Sequence, residues 1–293
     1  MATKTTASGF TSDVIKQINE QAYLMIYEGM LVPKLCKKVG QGQKGSTVHV
    51  PYFDPSTFAA AASTLTEAND FVNYTQLTNA SVILTASEFG VISFLTDTTR
   101  EGGSFDFAKE IARQQAIAVN AKLEKHCLAA LSAGFVTGTV TGTNSTNGFT
   151  YTHYAAAKSK IDGKILTVPG RKAAIVNEYS WFYTAKSTFS QTYAAAMGAV
   201  GEDVVKRYHI NTLFNDVDVY RSNYISASTT APGYMFAANE SVGLWLPRDY
   251  RIETQRDVSA RGDEAVSTMR GTAKVLIGSY GVRLKMYSST PTP

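Results

Sequence analysis

Three glycines, Gly40, Gly42 and Gly45, stand at the spacing GxGxxG, the pattern that lets a backbone approach a pyrophosphate. That chemistry needs a strand before the glycines and a helix after them, whose N-terminus holds the phosphates. Here a strand pattern follows instead, opened by Ser46 and Thr47, and Ser46 stands where a phosphate-binding loop needs its lysine. The segment reads as an exposed turn. The four histidines, His49, His126, His153 and His209, include no pair at metal-ligand spacing. His126 and Cys127 point to adjacent faces of one helix. Asp216 and Asp218 in NDVDV carry the charge to hold a cation, but as alternating strand positions they read as solvent-facing carboxylates. A serine nucleophile needs an activating base and a GxSxG elbow, and Gly278-Ser-Tyr-Gly281 has the wrong spacing. Lys158, Lys160, Lys164, Arg171, Lys172 and Lys186 outnumber Asp162 and Glu178 over residues 151–200. They read as scattered solvated charge rather than as a nucleic-acid groove. No catalytic or metal constellation emerges, so the chain is not read as an enzyme and no cofactor is expected.

The elements that carry these residues belong to a chain of 293 residues, 44% hydrophobic and 18% charged, with a formal charge of +4. That apolar content excludes global disorder. The charged fraction lies below the roughly 25% of ordinary soluble domains, which suits a surface that meets other protein. Cys36 and Cys127 form no CxxC, so a reducing compartment fits. The polar start MATKTTASGFTSD lacks the apolar core of a signal peptide, and no run approaches ~18 apolar residues. A soluble product assembled in a cytosol, with no membrane partner, is the expectation.

Residues 1–11 read as a tail. Ser12 and Asp13 then cap a predicted helix over 12–28, with Val14, Ile15, Ile18, Ala22 and Ile26 at helical spacing and Gly29 as its stop. Val48, Val50 and Tyr52 alternate with polar neighbours and predict a strand. Residues 54–79 have no strong period, and Ser81–Thr96 is a long β-rich run. The two β segments are expected to pair as a hairpin, which could not support itself alone in water. Gly102-Gly103 breaks the chain. Phe107, Ile111, Gln115, Ala118, Val119, Leu123, Cys127 and Leu131 then recur every three or four residues up to Gly134, predicting a helix of ~30 residues and about 45 Å. Residues 136–150 are turn-rich. Beyond them, helices are expected over His153–Ile161, Glu178–Lys186 and Glu202–Tyr208, with strands over Ala173–Asn177 and Val217–Arg221. Pro232-Gly233 reads as the close of that region. Strands follow over Tyr234–Ala237, Arg251–Asp257, Ala265–Ile277 and Val282–Tyr287.

In that order of elements the chain resembles the major capsid proteins of tailed bacteriophages, with the α+β Hong Kong 97-like fold. GSTVHVPYF through TASEFGVISFLTD resembles the family's extended loop, and Phe105–Ala133 resembles its spine helix. YMFAANESVGLWLPRDYRIETQRD and the strands after it resemble the return to the peripheral domain. The resemblance implies an N-terminal arm over 1–39, an extended loop over 40–97 and a spine helix over 98–134. An axial domain over 135–233 and a β-rich return over 234–293 complete it. It implies self-assembly into pentamers and hexamers of an icosahedral head around double-stranded DNA, in the virion, built in the host cytoplasm. It also implies weak non-specific contact with the packaged DNA, and a separate scaffolding protein, portal and decoration proteins as partners. Phe53, Phe58 and Phe71 on the extended loop are then the expected inter-subunit contacts. Gly40, Gly42, Gly45, Gly102 and Gly103 are the expected hinges. An encapsulin-like compartment shell is the alternative within the fold. A soluble enzyme or a DNA-binding protein is the alternative outside it.

Overall fold

The computed structural model describes residues 30–43, 45–52, 80–98, 107–135, 140–141, 151–163, 171–182, 212–213, 216–225 and 231–286. The predicted helices over 12–28 and 202–208, the contact residues Phe53, Phe58 and Phe71, and the hinge pair Gly102 and Gly103 lie outside them.

A long helix, α2 (Phe107–Gly134), organises the larger core. A short helix, α1 (Val32–Leu35), precedes it in the chain, with Pro33 in its first turn. The buried face of α2 runs through Ala112, Gln115, Ala116, Val119, Leu123, Cys127, Leu128 and Leu131, the three- and four-residue spacing of a core-facing stripe. Ala118, expected on that stripe, is exposed. It lies one residue, about 100° around the helix, from Val119.

The helix lies on a four-stranded sheet in the order β1-β10-β11-β4. Its strands are β1 (Lys37–Lys38), β4 (Ser87–Thr96), β10 (Val242–Asp257) and β11 (Gly262–Val275). β10 and β11 form one antiparallel ribbon of 16 and 14 residues, far longer than the usual strand of ~5–6. Its register shifts between Trp245 and Arg248 and again before Arg251. Pro247 lies in that interval and has no N–H to give the ladder. At the far end Asp257 Oδ1 accepts from the backbone of Ser259 and Ala260, and Arg261 takes φ 50°, closing the turn.

The run Ser81–Thr96 does not pair as one piece. Its first part, β3 (Ala80–Thr85), pairs with β2 (Thr47–Tyr52) as the expected hairpin, whereas β4 pairs with β11 through Ser87–Thr96. The reason is a change of phase at Ala86. Val82 and Leu84, at even positions, pack with Val48, Trp245 and Leu276. Phe89 and Val91, at odd positions, pack against the α2 core. Because side chains alternate along a strand, a one-residue phase change sends the two halves to different layers.

The second sheet has six strands in the order β5-β12-β9-β6-β8-β7. They are β5 (Val140–Thr141), β6 (Lys172–Val176), β7 (Thr212–Leu213), β8 (Val217–Arg221), β9 (Ala231–Ala237) and β12 (Gly281–Met286). Ala174, Val176, Val217, Met235 and Leu284 pack beneath helix α3 (Tyr151–Asp162) with Tyr154, Ala157 and Ile161. Ala173, Ile175, Tyr234 and Phe236 face the other way, into the α2 core. Both faces are covered, so β6 is buried throughout and reads as an unbroken apolar run.

One expectation is corrected here. Pro232-Gly233 is not a closing turn but part of β9, where Pro232 stands opposite Lys285. Pairing to β6 begins only at Tyr234, so the missing proline N–H is not required on that side. The last strand, Gly281–Met286, joins the sheet built from residues 140–237 rather than the long ribbon that precedes it. Gly281 sits against the Phe135 ring, where any side chain would overlap it. Phe135 in turn stacks on Phe236 with ring centroids 6.0 Å apart.

Candidate assembly surfaces

The chemistry-bearing residues resolve into structural ion pairs. Lys172 is only 3% exposed, and its Nζ lies 2.9 Å from Asp162 and 2.7 Å from Asp216. Lys158 Nζ reaches the same two carboxylates at 2.6 and 3.1 Å. Asp216, Lys158 and Lys172 are therefore not scattered solvated charge. A near-buried ammonium needs compensating carboxylates, and the fold brings them from two segments, the end of α3 and the residue before β8. Burial alone would raise both aspartates, but the two lysines outweigh it and hold both carboxyls below the usual aspartate range. Asp218 pairs with Arg171 at 3.4 Å. Among the described residues no group of His, Cys, Asp or Glu is arranged to hold a metal. No described helix is long and apolar enough to cross a membrane.

The cysteines and Glu124 meet inside the α2 core. Glu124 accepts from the backbone N–H groups of Val32 at 3.1 Å and Leu31 at 3.3 Å, capping the start of α1. Burial pushes its carboxyl above the usual glutamate range, and the two backbone donors partly offset this. Cys36 and Cys127 are free and buried side by side. The contact with Cys36 and then burial push the Cys127 thiol well up, so it stays protonated. Sequence reasoning missed this cluster, because no local pattern joins residue 32 to residue 124.

The Gly40–Gly45 segment is a turn, not a phosphate cradle, since β2 follows it. Gly40 and Gly42 take φ of 62° and 78°. Gly40 is also held to the body: its carbonyl accepts from Trp245 Nε1 at 3.1 Å, and a Cβ there would stand 3.0 Å from the indole. Nothing lies within 4 Å of the corresponding point on Gly42.

The β2–β3 hairpin is seated at its base on Trp245 and Leu276. The long ribbon is braced at two points across β11: Arg248, midway along β10, pairs with Glu88, and Arg256, near its end, grips Asp97 at 2.6 and 2.9 Å and Asp263 at 3.2 Å. Those two carboxylates raise the already high pKa of the guanidinium. The edge strand β4 exposes Ile92 and Phe94 at 62% and 42%, and the ribbon tip exposes Val258 at 80%. Ile92, Phe94 and Val258 are thus large apolar side chains left uncovered on the single subunit.

Comparison with known proteins follows the same lines. The model of a family described as phage capsid protein matches residues 55–280. Among solved structures the chain is similar to that of Mycobacterium phage Che8, with 15% identity and a TM-score of 0.69 over 87% of this chain and 90% of that one. It is similar to the capsid of cyanophage P-SCSP1u, with 12% identity and a TM-score of 0.69 over 89% of each chain. It is also similar to the virus-like particle from Pyrococcus furiosus, with 9% identity and a TM-score of 0.61 over 92% of this chain and 99% of that one. At these identities the likeness is one of fold, the Hong Kong 97-like fold. No curated protein matches the chain.

Proposed function

The chain belongs to the phage capsid protein family, and on that premise we propose that it is the major capsid protein, closing into pentamers and hexamers of an icosahedral head around double-stranded DNA. The observation that carries this reading is the family match across residues 55–280. A capsid protein assembles with copies of itself and resides in the virion. Head-to-tail contacts that close around an axis need surfaces of two kinds on one subunit, a projecting arm and a body that receives it. The hairpin and the braced ribbon supply the first, and the sheet under α2 supplies the second. Phe53, Phe58 and Phe71 are proposed to bury against neighbouring copies. Gly42, Gly102 and Gly103 are the proposed pivots between five-fold and six-fold environments. Gly40 and Gly45 flank the first of these pivots. Assembly takes place in the host cytoplasm with scaffolding, portal and decoration proteins as separate chains. The role is structural, without turnover.

Negative-stain microscopy and nuclease treatment of natively produced particles test it. Closed icosahedral shells holding nuclease-protected duplex DNA are expected. Shells filled with protein and free of DNA would favour a cellular compartment, and a stable monomer would remove the reading.

A further inference from the structure

The chain has two cysteines, and the fold brings both into the α2 core. Val32 stands over Glu124, which accepts its backbone N–H. Cys36, at the end of α1, donates its thiol back to the Val32 carbonyl at 3.2 Å. Cys127 follows Glu124 by three positions, about one turn further along α2. The two side chains therefore meet, Cys36 at 3% exposure and Cys127 at none. A buried thiol serves as a small apolar group, and either residue alone would do so. That role does not require the two thiols to touch across the whole of residues 40–97.

The two are held with unequal firmness. Cys127 lies within the 28 residues of α2 and faces the core. Cys36 follows a helix of four residues, tied to α2 by the Glu124 bonds to Leu31 and Val32. Opening so short an element is a local event that leaves the rest of the fold intact. It frees Cys36 while Cys127 stays in place. In the closed state the contact with Cys36 and burial keep Cys127 protonated, and a thiol reacts as its thiolate. Sulfurs already in contact need only close to about 2.05 Å to form a bond.

We infer that Cys36 and Cys127 form a redox staple, reduced while the chain is in a cytosol and joined as an intrachain disulfide once it meets a small-molecule disulfide outside one. The Cys36 thiolate attacks one sulfur of that disulfide; its S–S bond breaks and the first thiol leaves. The Cys127 thiolate then attacks the Cys36 sulfur of the mixed disulfide, forms the Cys36–Cys127 bond and expels the second thiol. The protons of the two cysteines end on the two released thiols. The cysteine pair is oxidised by two electrons, and the small disulfide is reduced by the same two. The new bond fixes the entry of the chain to α2 and closes residues 40–97 into a covalent loop, which restricts the unfolded chain. The moment of oxidation, on leaving the host, rests on the capsid reading. The bond itself rests on the two thiols.

The test takes the full chain, purified under reductant, and exposes it to oxidised glutathione, as particles where it assembles. Free thiols are then counted by alkylation with N-ethylmaleimide in denaturant and intact mass. Both cysteines should be labelled before oxidation and neither after it, with a faster-migrating single-chain band in the absence of reductant. Dithiothreitol should restore both labels and the original mobility. Two labels persisting after oxidation, a retained glutathione adduct, or chains linked to one another would each overturn the inference. So would the faster band persisting in Cys36→Ser. The labels are counted on the chain whether or not shells form, so a failed staple and a failed capsid reading give different results. In the unsubstituted chain, the oxidised form should melt at least about 5 °C above the reduced form. Equal melting of the two forms would also overturn the staple.

Discussion

At the scale of single residues, the fold spends its charge on internal staples. The Lys158–Lys172–Asp162–Asp216 cluster ties α3 to the strand pair β6–β8. Removing Lys172 leaves the two carboxylates to share Lys158 as their remaining counter-charge. Lys172→Ala should cost about 2 kcal/mol, discounted from the roughly 3–5 kcal/mol of a fully buried pair because both aspartates remain about a third exposed. The pH dependence follows from the directions of the shifts. Asp162 and Asp216 titrate below the ordinary 3.8, so their stabilisation is complete above that value and is lost as pH falls through the lowered folded values. Lys158 is raised above 10.5, chiefly by its hydrogen bond to Asp162, so its share is complete below that value and is lost as pH rises through the raised one. Melting of dissociated subunits across pH should show an acid-side loss that Asp216→Asn flattens. An unchanged acid limb in that variant would remove the cluster from the stability argument. The glycines of the turn separate in the same assay. Gly40→Ala combines about 1–2 kcal/mol of left-handed strain with a collision against Trp245, whereas Gly42→Ala carries the strain alone. The first should lower the melting temperature more than the second.

At the scale of elements, α2 and the hairpin answer to different partners. Leu123 is fully buried between α2 and the sheet, so Leu123→Ala should open a cavity and cost about 2–5 kcal/mol in the isolated subunit. The base of the hairpin also belongs to the subunit, since Val48 and Leu84 bury against Trp245 and Leu276. If the proposed loop contact holds, Phe58→Ala and Phe71→Ala should leave folded subunits with unchanged melting and reduced particle yield, each aromatic then burying ~150–250 Å² against a neighbouring copy. Circular dichroism melts beside particle counts make the comparison. Phe variants that unfold the isolated subunit as badly as Leu123→Ala would place the whole loop in the core.

At the scale of the whole molecule, modest charge and exposed β edges favour association with protein over tight binding of nucleic acid. A net charge of +4 across 293 residues supports weak phosphate contacts that salt screens, not sequence readout. Free subunits should bind duplex DNA feebly, with no preference among sequences and with binding lost as salt rises. Nanomolar discrimination at physiological salt would make DNA recognition the better account of the fold. Light scattering should give particles in the megadalton range, stabilised by many individually modest contacts.

The sequence by itself determined the elements that report a local period. The long helix was legible in recurring Val119, Leu123, Cys127 and Leu131, the buried strand in the unbroken run around Ala173–Val176, and the paired strands in alternating Val48 and Val50. The order of those elements carried the family likeness. The phase change at Ala86 was also written in the sequence, as Val82 and Leu84 at even positions and Phe89 and Val91 at odd ones. Its meaning required knowing that two separate layers exist. Tertiary structure alone decided that Gly281–Met286 crosses to the six-stranded sheet, that Glu124 caps Val32, and that Lys172 is enclosed by Asp162 and Asp216. Periodicity is a property of neighbours along the chain and states which face of an element is apolar. Which partner covers that face depends on contacts between residues tens to hundreds of positions apart, and these exist only once the chain has closed on itself.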